Sequence, residues 1–337
     1  MRRKGGIRAG LRGAAIAPFD EAVPAAVPGP DARQQVLVLM GLRNGAAHLQ
    51  AQLDSLAAQD HADWTLIASD DGSTDGTGAI LQAFARGAGA GRVTVLAGPC
   101  RGVAANYLSL LRSLPPGPCW VAFADQDDVW MPDRLSRGLA ALAGQAGPAL
   151  YCSRTWIDRA GAGLRLSPAR PRPPSFANAL VQNVAAGNTI LLNPAAGALL
   201  AAAAREVETI LLHDWWAYQM VTGAGGVVLH DDRPTILYRQ HAGNLIGAND
   251  GWRARLARLR AMLGGVLRDW NGTNLAALQA VTHRLDPRAR RQLQAFAQAR
   301  SLPGPLARIR ALRGLGLYRQ TRASTAALWL AAALGRI

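Results

Sequence analysis

Four short apolar runs, Val36–Met40, Thr65–Ala68, Val93–Leu96 and Cys119–Ala124, alternate with stretches whose apolar residues recur at helical spacing. Between the first two runs, His48–Gln59 places Leu49, Leu53 and Leu56 on one helical face; Thr77–Arg86 and Val103–Leu114 read as the next two helices. The runs are continuous rather than alternating, which is the pattern of strands buried on both faces. Strand followed by helix at this spacing predicts an α/β fold with a parallel, doubly wound sheet. Polar clusters follow the second and fourth runs, at the strand ends where open α/β sheets bind ligands.

From Tyr151 the pattern loosens. A proline-rich loop, Ser167–Pro174, leads to a helical stretch near Phe176–Val184, a strand Asn188–Leu192 and an alanine-rich helix Pro194–Glu208. His213–Thr222 reads as a helix and Val227–His230 as a strand, and the chain beyond Gly251 reads as helical and basic. Residues 1–34, rich in Gly, Ala and Pro without periodicity, read as a disordered leader. The chain therefore divides into a leader (1–34), a catalytic-type α/β domain (35–250) and a basic helical extension (251–337).

Half of the 337 residues are apolar, enough for a sizeable core. The longest apolar stretches, Ala195–Ala204 and Ser324–Leu334, are too short to cross a bilayer, and Met1-Arg2-Arg3-Lys4 is not followed by the apolar segment of a secretory signal. The three cysteines, Cys100, Cys119 and Cys152, have no metal or redox spacing and read as reduced thiols of a cytoplasmic protein. The net charge of +15 is concentrated at one end: residues 251–337 carry sixteen basic and two acidic side chains, whereas 36–250 carry fifteen and seventeen. Such an excess bears on partners rather than on fold.

Two acidic clusters carry the candidate chemistry. In Ser69-Asp70-Asp71-Gly72-Ser73-Thr74-Asp75-Gly76 the glycines permit a turn, Ser73 and Thr74 are candidate N-caps, and the adjacent aspartates point to opposite sides. One can face a ligand crevice while the other braces the turn. In Asp125-Gln126-Asp127-Asp128-Val129-Trp130, Asp125 and Asp127 share a face in extended chain, and two carboxylates held together repel unless a cation neutralises them. Mg²⁺ or Mn²⁺ accepts one or two carboxylates together with phosphate and water oxygens. Asp128 is a candidate cap for the helix that Pro132 opens.

Together with Gly102-Val103-Ala104-Ala105-Asn106, these clusters resemble the inverting GT-A glycosyltransferases, the family of cellulose synthase and many polysaccharide-assembly enzymes. The Asp125–Trp130 cluster, with Gly187-Asn188-Thr189, His213-Asp214-Trp215-Trp216 and Tyr238-Arg239-Gln240-His241-Ala242-Gly243-Asn244, is similar to motifs of bacterial rhamnosyltransferases. The resemblance spans roughly residues 35–250. It implies a GT-A fold and a nucleotide-diphosphate sugar donor, and the rhamnosyltransferase-like motifs imply dTDP-rhamnose as that donor. Asp70 would read the base with Arg43, Asn44 and Asp71 nearby, Asn106 would lie by the donor, and Asp125 and Asp127 would hold the metal. Asp214 would be the general base. His213, Trp215, Trp216, Arg239, Gln240, His241 and Asn244 would face the acceptor or a phosphate. Two departures stand out: Gly41–Gly45 lacks the Tyr-Asn pair common there, and His213 replaces an acidic residue.

This chemistry needs such parts. A cation stabilises the charge on a departing nucleotide diphosphate, and a carboxylate removes the proton of the attacking hydroxyl. A sugar nucleotidyltransferase, the nearest alternative, would carry a longer basic phosphate loop after the first strand, and no lysine follows Lys4. A non-catalytic sugar-binding scaffold would not need Asp70, Asp125, Asp127 and Asp214 together. Nucleic acid is a poor partner because the tail's arginines interleave with Leu and Met rather than with stacking aromatics. The tail instead suggests peripheral contact with a membrane carrying a lipid-linked oligosaccharide acceptor: in Trp252–Trp270, Leu256, Leu259, Met262, Leu263, Val266 and Leu267 form an apolar set opposed by Arg253, Arg255, Arg258 and Arg260. Pro305–Arg319 repeats it, with Leu306, Ile309 and Leu312 against Arg308, Arg310 and Arg313.

Overall fold

The computed structural model describes residues 34–159, 163–240, 260 and 264–337. The expected leader, His241, Asn244 and most of Trp252–Trp270 lie outside the described residues.

Among the described residues nine strands form one sheet: β1 (Val36–Leu42), β2 (Trp64–Asp70), β3 (Val93–Ala97), β4 (Trp120–Asp125), β5 (Val129–Trp130), β6 (Ala149–Arg159), β7 (Gly163–Leu166), β8 (Leu191–Leu192) and β9 (Val227–Gln240). Their order is β3-β2-β1-β4-β8-β6-β9-β5, with β7 paired to β6. The first four strands are mutually parallel, as the sequence pattern predicts. Beyond β4 the sheet is mixed, because β8 runs antiparallel to both β4 and β6, while β9 is parallel to β6.

Helices cover both faces. Met40 and its even-numbered neighbours Val36, Val38 and Leu42 pack with α1 (Leu49–Ala57), α2 (Thr77–Arg86) and α4 (Arg134–Leu142). Leu37 and Leu39 pack on the other side, with α3 (Val103–Arg112), α5 (Phe176–Ala179), α6 (Pro194–Ala204) and α7 (His213–Gly223). The period of two along a strand sends alternate side chains into separate layers, so an unbroken apolar run is what a central strand needs.

Two strands depart from the sequence expectation. β9 continues ten residues past His230, the expected end, through the polar run Asp231-Asp232-Arg233-Pro234. Its charges are accommodated locally: the Asp231 carboxylate accepts from Arg137 and from the Tyr151 hydroxyl (2.9 Å), and Pro234 sits at a register shift against β6. Conversely, the strand expected at Asn188–Leu192 begins as a 3-10 turn, Gly187–Thr189, and only Leu191–Leu192 joins the sheet.

The extension is helical, as α8 (Val266–Ala280), α9 (Pro287–Ser301), α10 (Pro305–Gly314) and α11 (Arg322–Ala333). Leu267, Leu278, Leu293, Phe296, Leu312 and Leu328 join the same buried cluster as Phe176, Leu180 and Trp215. The clean apolar and basic faces expected over Pro305–Arg319 do not form. Arg308 is buried, donating from Nε to the Leu302 carbonyl (3.0 Å) and from Nη1 to the Ala332 carbonyl (2.8 Å), while Leu306 is 82% exposed. A guanidinium with five donors suits the unpaired carbonyls at a helix end better than a leucine does. Among the described residues no helix is long and apolar enough to cross a membrane.

Candidate active site

The parallel strands end level with one another. Gly41 pairs in register with both Ser69 and Asp125, and Asp70 pairs with Leu42 and Ala97. Beyond this line, turns from different strands hold one another. Asn44 adopts a left-handed conformation (φ 47°), which a short amide side chain tolerates. Its N–H donates to Ser73 Oγ (2.9 Å), and its Oδ1 accepts from the Thr74 N–H (2.8 Å). Ser73 and Thr74 thus fasten the turn after β2 to the turn after β1 and do not cap α2, which starts after Gly76 without a side-chain cap.

The adjacent aspartates separate as their alternation requires, but Asp71 is not available to a nucleotide. Buried, it accepts the Cys100 N–H (2.7 Å) and the Gly102 N–H (2.9 Å), bracing the turn that opens α3. Asp70 stays partly exposed and accepts only a local N–H, from Ser73 (2.8 Å), among its described side-chain bonds. Asn106 is also committed to the framework, accepting from Ser69 Oγ (2.5 Å) and donating to the Ser69 carbonyl (3.0 Å). Gly98 allows this junction: a Cβ there would lie 2.8 Å from Asp71 Cα and 2.9 Å from Asn106 Oδ1. The exposed Arg43 sends its guanidinium to the Asp71 carbonyl.

At the end of β4, Asp125 and Asp127 are partly exposed and Asp128 is buried. Gln126, between the two candidate metal carboxylates, accepts the Arg43 N–H (2.9 Å) and donates to the Arg43 carbonyl (3.0 Å). Asp128 caps nothing: it accepts from Asn188 Nδ2 (2.6 Å), and α4 begins at Arg134 after Asp133. Beneath them the buried Arg134 donates to the carbonyls of Asn188 (2.7 Å) and Phe123 (3.0 Å), its guanidinium 3.6 Å from the centre of the Trp130 ring. Gly187-Asn188-Thr189 is therefore the floor under the acidic motif. Burial, then Asp127, pushes the Asp125 carboxyl up to about 7, with Asp214 adding to the rise. Burial likewise raises Asp128 well above the usual carboxylate range.

Asp214 enters from the opposite layer, in the first turn of α7. Burial raises its carboxyl to about 6, although hydrogen bonds from the Trp215 N–H (2.6 Å), Asn183 and the Gly187 backbone favour the ionised form. His213 is buried and stacks on Tyr107, centroids 3.6 Å apart and planes 7° apart; burial depresses its imidazole to about 3, so it is neutral at physiological pH. Tyr107, which carries no sequence signature, donates to the Ala124 carbonyl (2.6 Å) and reaches Asp125 Oδ1 (3.2 Å).

The two indoles expected to stack on a sugar are core residues. Trp216 is fully buried, and Trp215, 3% exposed, donates Nε1 to the Ala179 carbonyl (2.6 Å) and meets Trp270 edge-on. Next to Asp214 in sequence, both face into the layer because α7 is buried nearly all round. Arg239 and Gln240 end β9, with Arg239 Nη1 3.4 Å from His48 Nδ1.

Residues 38–189, from β1 to the floor beneath the acidic motif, match the family model described as Glycosyl transferase family 2. The chain carries a glycosyl transferase family 2 domain. Over 227 residues, 65% of this chain and 78% of the relative, it is 25% identical to the dTDP-rhamnosyl transferase RfbG of Shigella flexneri. Among solved structures, residues 1–349 of S. aureus TarS in complex with UDP-GlcNAc align with a TM-score of 0.52 at 16% identity, over 83% of this chain and 80% of that one. The same protein with UDP aligns at 0.52 and 14% identity, over 90% and 88%. These neighbours establish the GT-A fold. Asp214 lies C-terminal to the family 2 match.

The donor set of the family 2 site fits a divalent cation. Asp125 and Asp127 offer hard carboxylate oxygens, and their proximity is unfavourable until a cation relieves it. Among the described residues no three His, Cys, Asp or Glu side chains converge on one point, so a bound ion here would draw its other oxygens from substrate and water.

Proposed function

We propose that this glycosyltransferase is metal-dependent and inverting, takes a nucleotide-diphosphate sugar, and transfers rhamnose from dTDP-rhamnose to a saccharide or lipid-linked acceptor. One observation carries the reading. Asp125 and Asp127 stand at the end of a parallel strand, and Asp214, from the other layer, is near enough that its charge raises the Asp125 carboxyl. A donor-side pair and a separate acceptor-side carboxylate are what a single displacement with inversion requires.

Asp125 and Asp127 would hold Mg²⁺ or Mn²⁺ against the donor diphosphate, where the ion supplies charge stabilisation for the leaving group. Asp70, partly exposed beside the crossed turns of Arg43 and Asn44, would read the base. Asp214 takes the acceptor hydroxyl proton as the bond to the anomeric carbon forms; its raised pKa improves it as a base while leaving it mostly ionised at neutral pH. Rhamnose is supported by the likeness to RfbG and by the Asp125–Trp130 and His213–Trp216 motifs.

The test is transfer and donor hydrolysis by purified protein over a panel of dTDP-, UDP- and GDP-sugars with Mn²⁺, with Mg²⁺ and with excess EDTA. The expected result is a preference for dTDP-rhamnose, loss of turnover in EDTA, a steep loss for Asp127→Asn, and an inverted anomeric centre by NMR. Full activity in EDTA removes the metal; retention of configuration removes Asp214 as sole base.

We further propose peripheral contact with the inner face of the cytoplasmic membrane. Residues 287–337 carry ten arginines and no acidic residue, and Arg310, Arg313 and Arg322 are exposed there with Leu306, Leu330 and Leu334. An anionic headgroup layer matches both features.

A further inference from the structure

We propose that Tyr107 is a positioning residue that fixes Asp125 and the start of α7 in one frame. This rests on the reading of Asp125 as a metal-holding carboxylate and Asp214 as the base.

The phenol is closely packed by two neighbours. A Cβ at Gly41 would stand 3.2 Å from Tyr107 Cε2, so β1 is bare at that point to let the ring approach. The ring also lies flat on His213. Phe123, two residues before Asp125, meets both rings edge-on, with centroids 5.5 Å from Tyr107 and 5.2 Å from His213. His213 is itself confined, because a Cβ on Gly187 would come 2.7 Å from its Nε2 and 3.2 Å from Asp214 Cβ. Packed at this density, the rings cannot shift separately without opening a void or a clash.

The hydroxyl converts that fixed ring into a constraint on the site. Its single proton is shared between the Ala124 carbonyl (2.6 Å), the last backbone acceptor before Asp125, and Asp125 Oδ1 (3.2 Å). One carboxylate oxygen is thereby oriented from the protein side, leaving the other for an ion. The chain of contact runs Asp125, Tyr107, His213, Asp214, from the donor layer to the acceptor layer. A phenylalanine would fill nearly the same core volume and keep the stack; the hydroxyl is needed for the polar end of the chain. His213, neutral at working pH, supplies a flat partner without placing a charge beside the metal carboxylate.

The test uses full-length protein and Mn²⁺ alone as probe, with free Mn²⁺ followed by its EPR signal, so that binding is read without turnover. Tyr107→Phe keeps the ring and removes only the hydroxyl; it is expected to weaken Mn²⁺ binding about 3- to 10-fold, the effect of losing one hydrogen bond to a charged group. His213→Ala, which frees one face of the ring, is expected to weaken binding as well, and the two changes together are expected to be less than additive. Asp127→Asn is the reference. If Asp127→Asn weakens Mn²⁺ binding and Tyr107→Phe stays within twofold of wild type, Tyr107 does not position Asp125. Strict additivity of the two substitutions removes the link through His213. If Asp127→Asn itself leaves Mn²⁺ binding unchanged, the metal reading falls and the role of Tyr107 with it. A purely structural role would lower thermal stability in Tyr107→Phe and leave Mn²⁺ affinity alone, which also overturns the proposal.

Discussion

Gln126 grips the peptide of Arg43 with both ends of its amide, N–H to Oε1 at 2.9 Å and Nε2 to carbonyl at 3.0 Å. A side chain here pairs with backbone as a neighbouring strand would, extending the β1–β4 ladder one step past Asp125. The middle residue of the acidic motif therefore ties the candidate metal carboxylates to the turn expected to read the base. Gln126→Ala should raise the donor KM several-fold and lower stability by about 1–2 kcal/mol, the range for two neutral hydrogen bonds at a partly exposed site. Urea unfolding and donor titrations check this; unchanged KM would mean that the two turns are positioned independently.

Asp214 yields a kinetic and a thermodynamic expectation of opposite sign. As a base it works only when ionised, so kcat/KM at saturating metal should fall with unit slope as pH drops below about 6. Asp214→Asn should lower turnover by ~10²–10⁴-fold and retain donor affinity. For stability, a carboxyl whose folded pKa is raised above its unfolded value favours the fold below about pH 4, and that contribution is lost as pH rises through about 6. Asp214→Asn should therefore be more stable than wild type at pH 8. A less stable variant would show that the ionised group is held by more than Asn183 and two backbone donors.

His213 works the other way. Its folded pKa of about 3 lies below the unfolded value of 6.5, so the unfolded chain takes up a proton that the fold refuses. Stability from this residue is complete above pH 6.5 and falls as pH decreases toward 3, by up to ~1.4 kcal/mol per pH unit. His213→Phe, which keeps a ring against Tyr107, should flatten the acid side of the stability profile between pH 6.5 and 4. An identical profile would mean that His213 becomes solvated before global unfolding.

The exposed arginines of α10 give a prediction about partners. Each contributes ~1 kcal/mol near an anionic surface, so Arg310→Glu with Arg313→Glu should reduce co-flotation with anionic liposomes at least tenfold. Neutral liposomes should bind neither protein, and donor hydrolysis should persist. Deleting the whole extension is a poor substitute, because Leu267, Phe296 and Leu328 complete the core around Phe176 and Trp215. Equal flotation of the double variant would remove the electrostatic role.

Much of the first half was legible in sequence. The four parallel strands, the helices between them and the level strand ends follow from runs such as Val36–Met40 and from the polar residues after them. The roles of individual polar residues were less so, because burial is decided by tertiary neighbours. Asp71 and Asn106 occur in the right motifs yet spend their hydrogen bonds on the Cys100–Gly102 turn and on Ser69. Trp215 and Trp216 beside Asp214 gave no sign of which faces of α7 would be covered. Tyr107 was invisible, since a tyrosine in an amphipathic helix reads as core whether or not its hydroxyl reaches a carboxylate. The polar run Asp231-Asp232-Arg233-Pro234 hid most of β9, as its charges are matched from α4, about ninety residues earlier.

β1 sorts its side chains so that Leu39 lies with α3, α6 and α7 while Met40 lies with α1, α2 and α4. The helix bearing Asp214 and the helices rooted behind the Asn44 and Ser73 turns thus rest on opposite sides of a shared wall. Such a partition lets the two layers diversify separately: the side carrying α7 can be recut while the Asn44 and Ser73 turns keep their foundations. A residue such as Tyr107, packed with the α7 layer yet touching the strand ends at Gly41 and Asp125, must be kept with both.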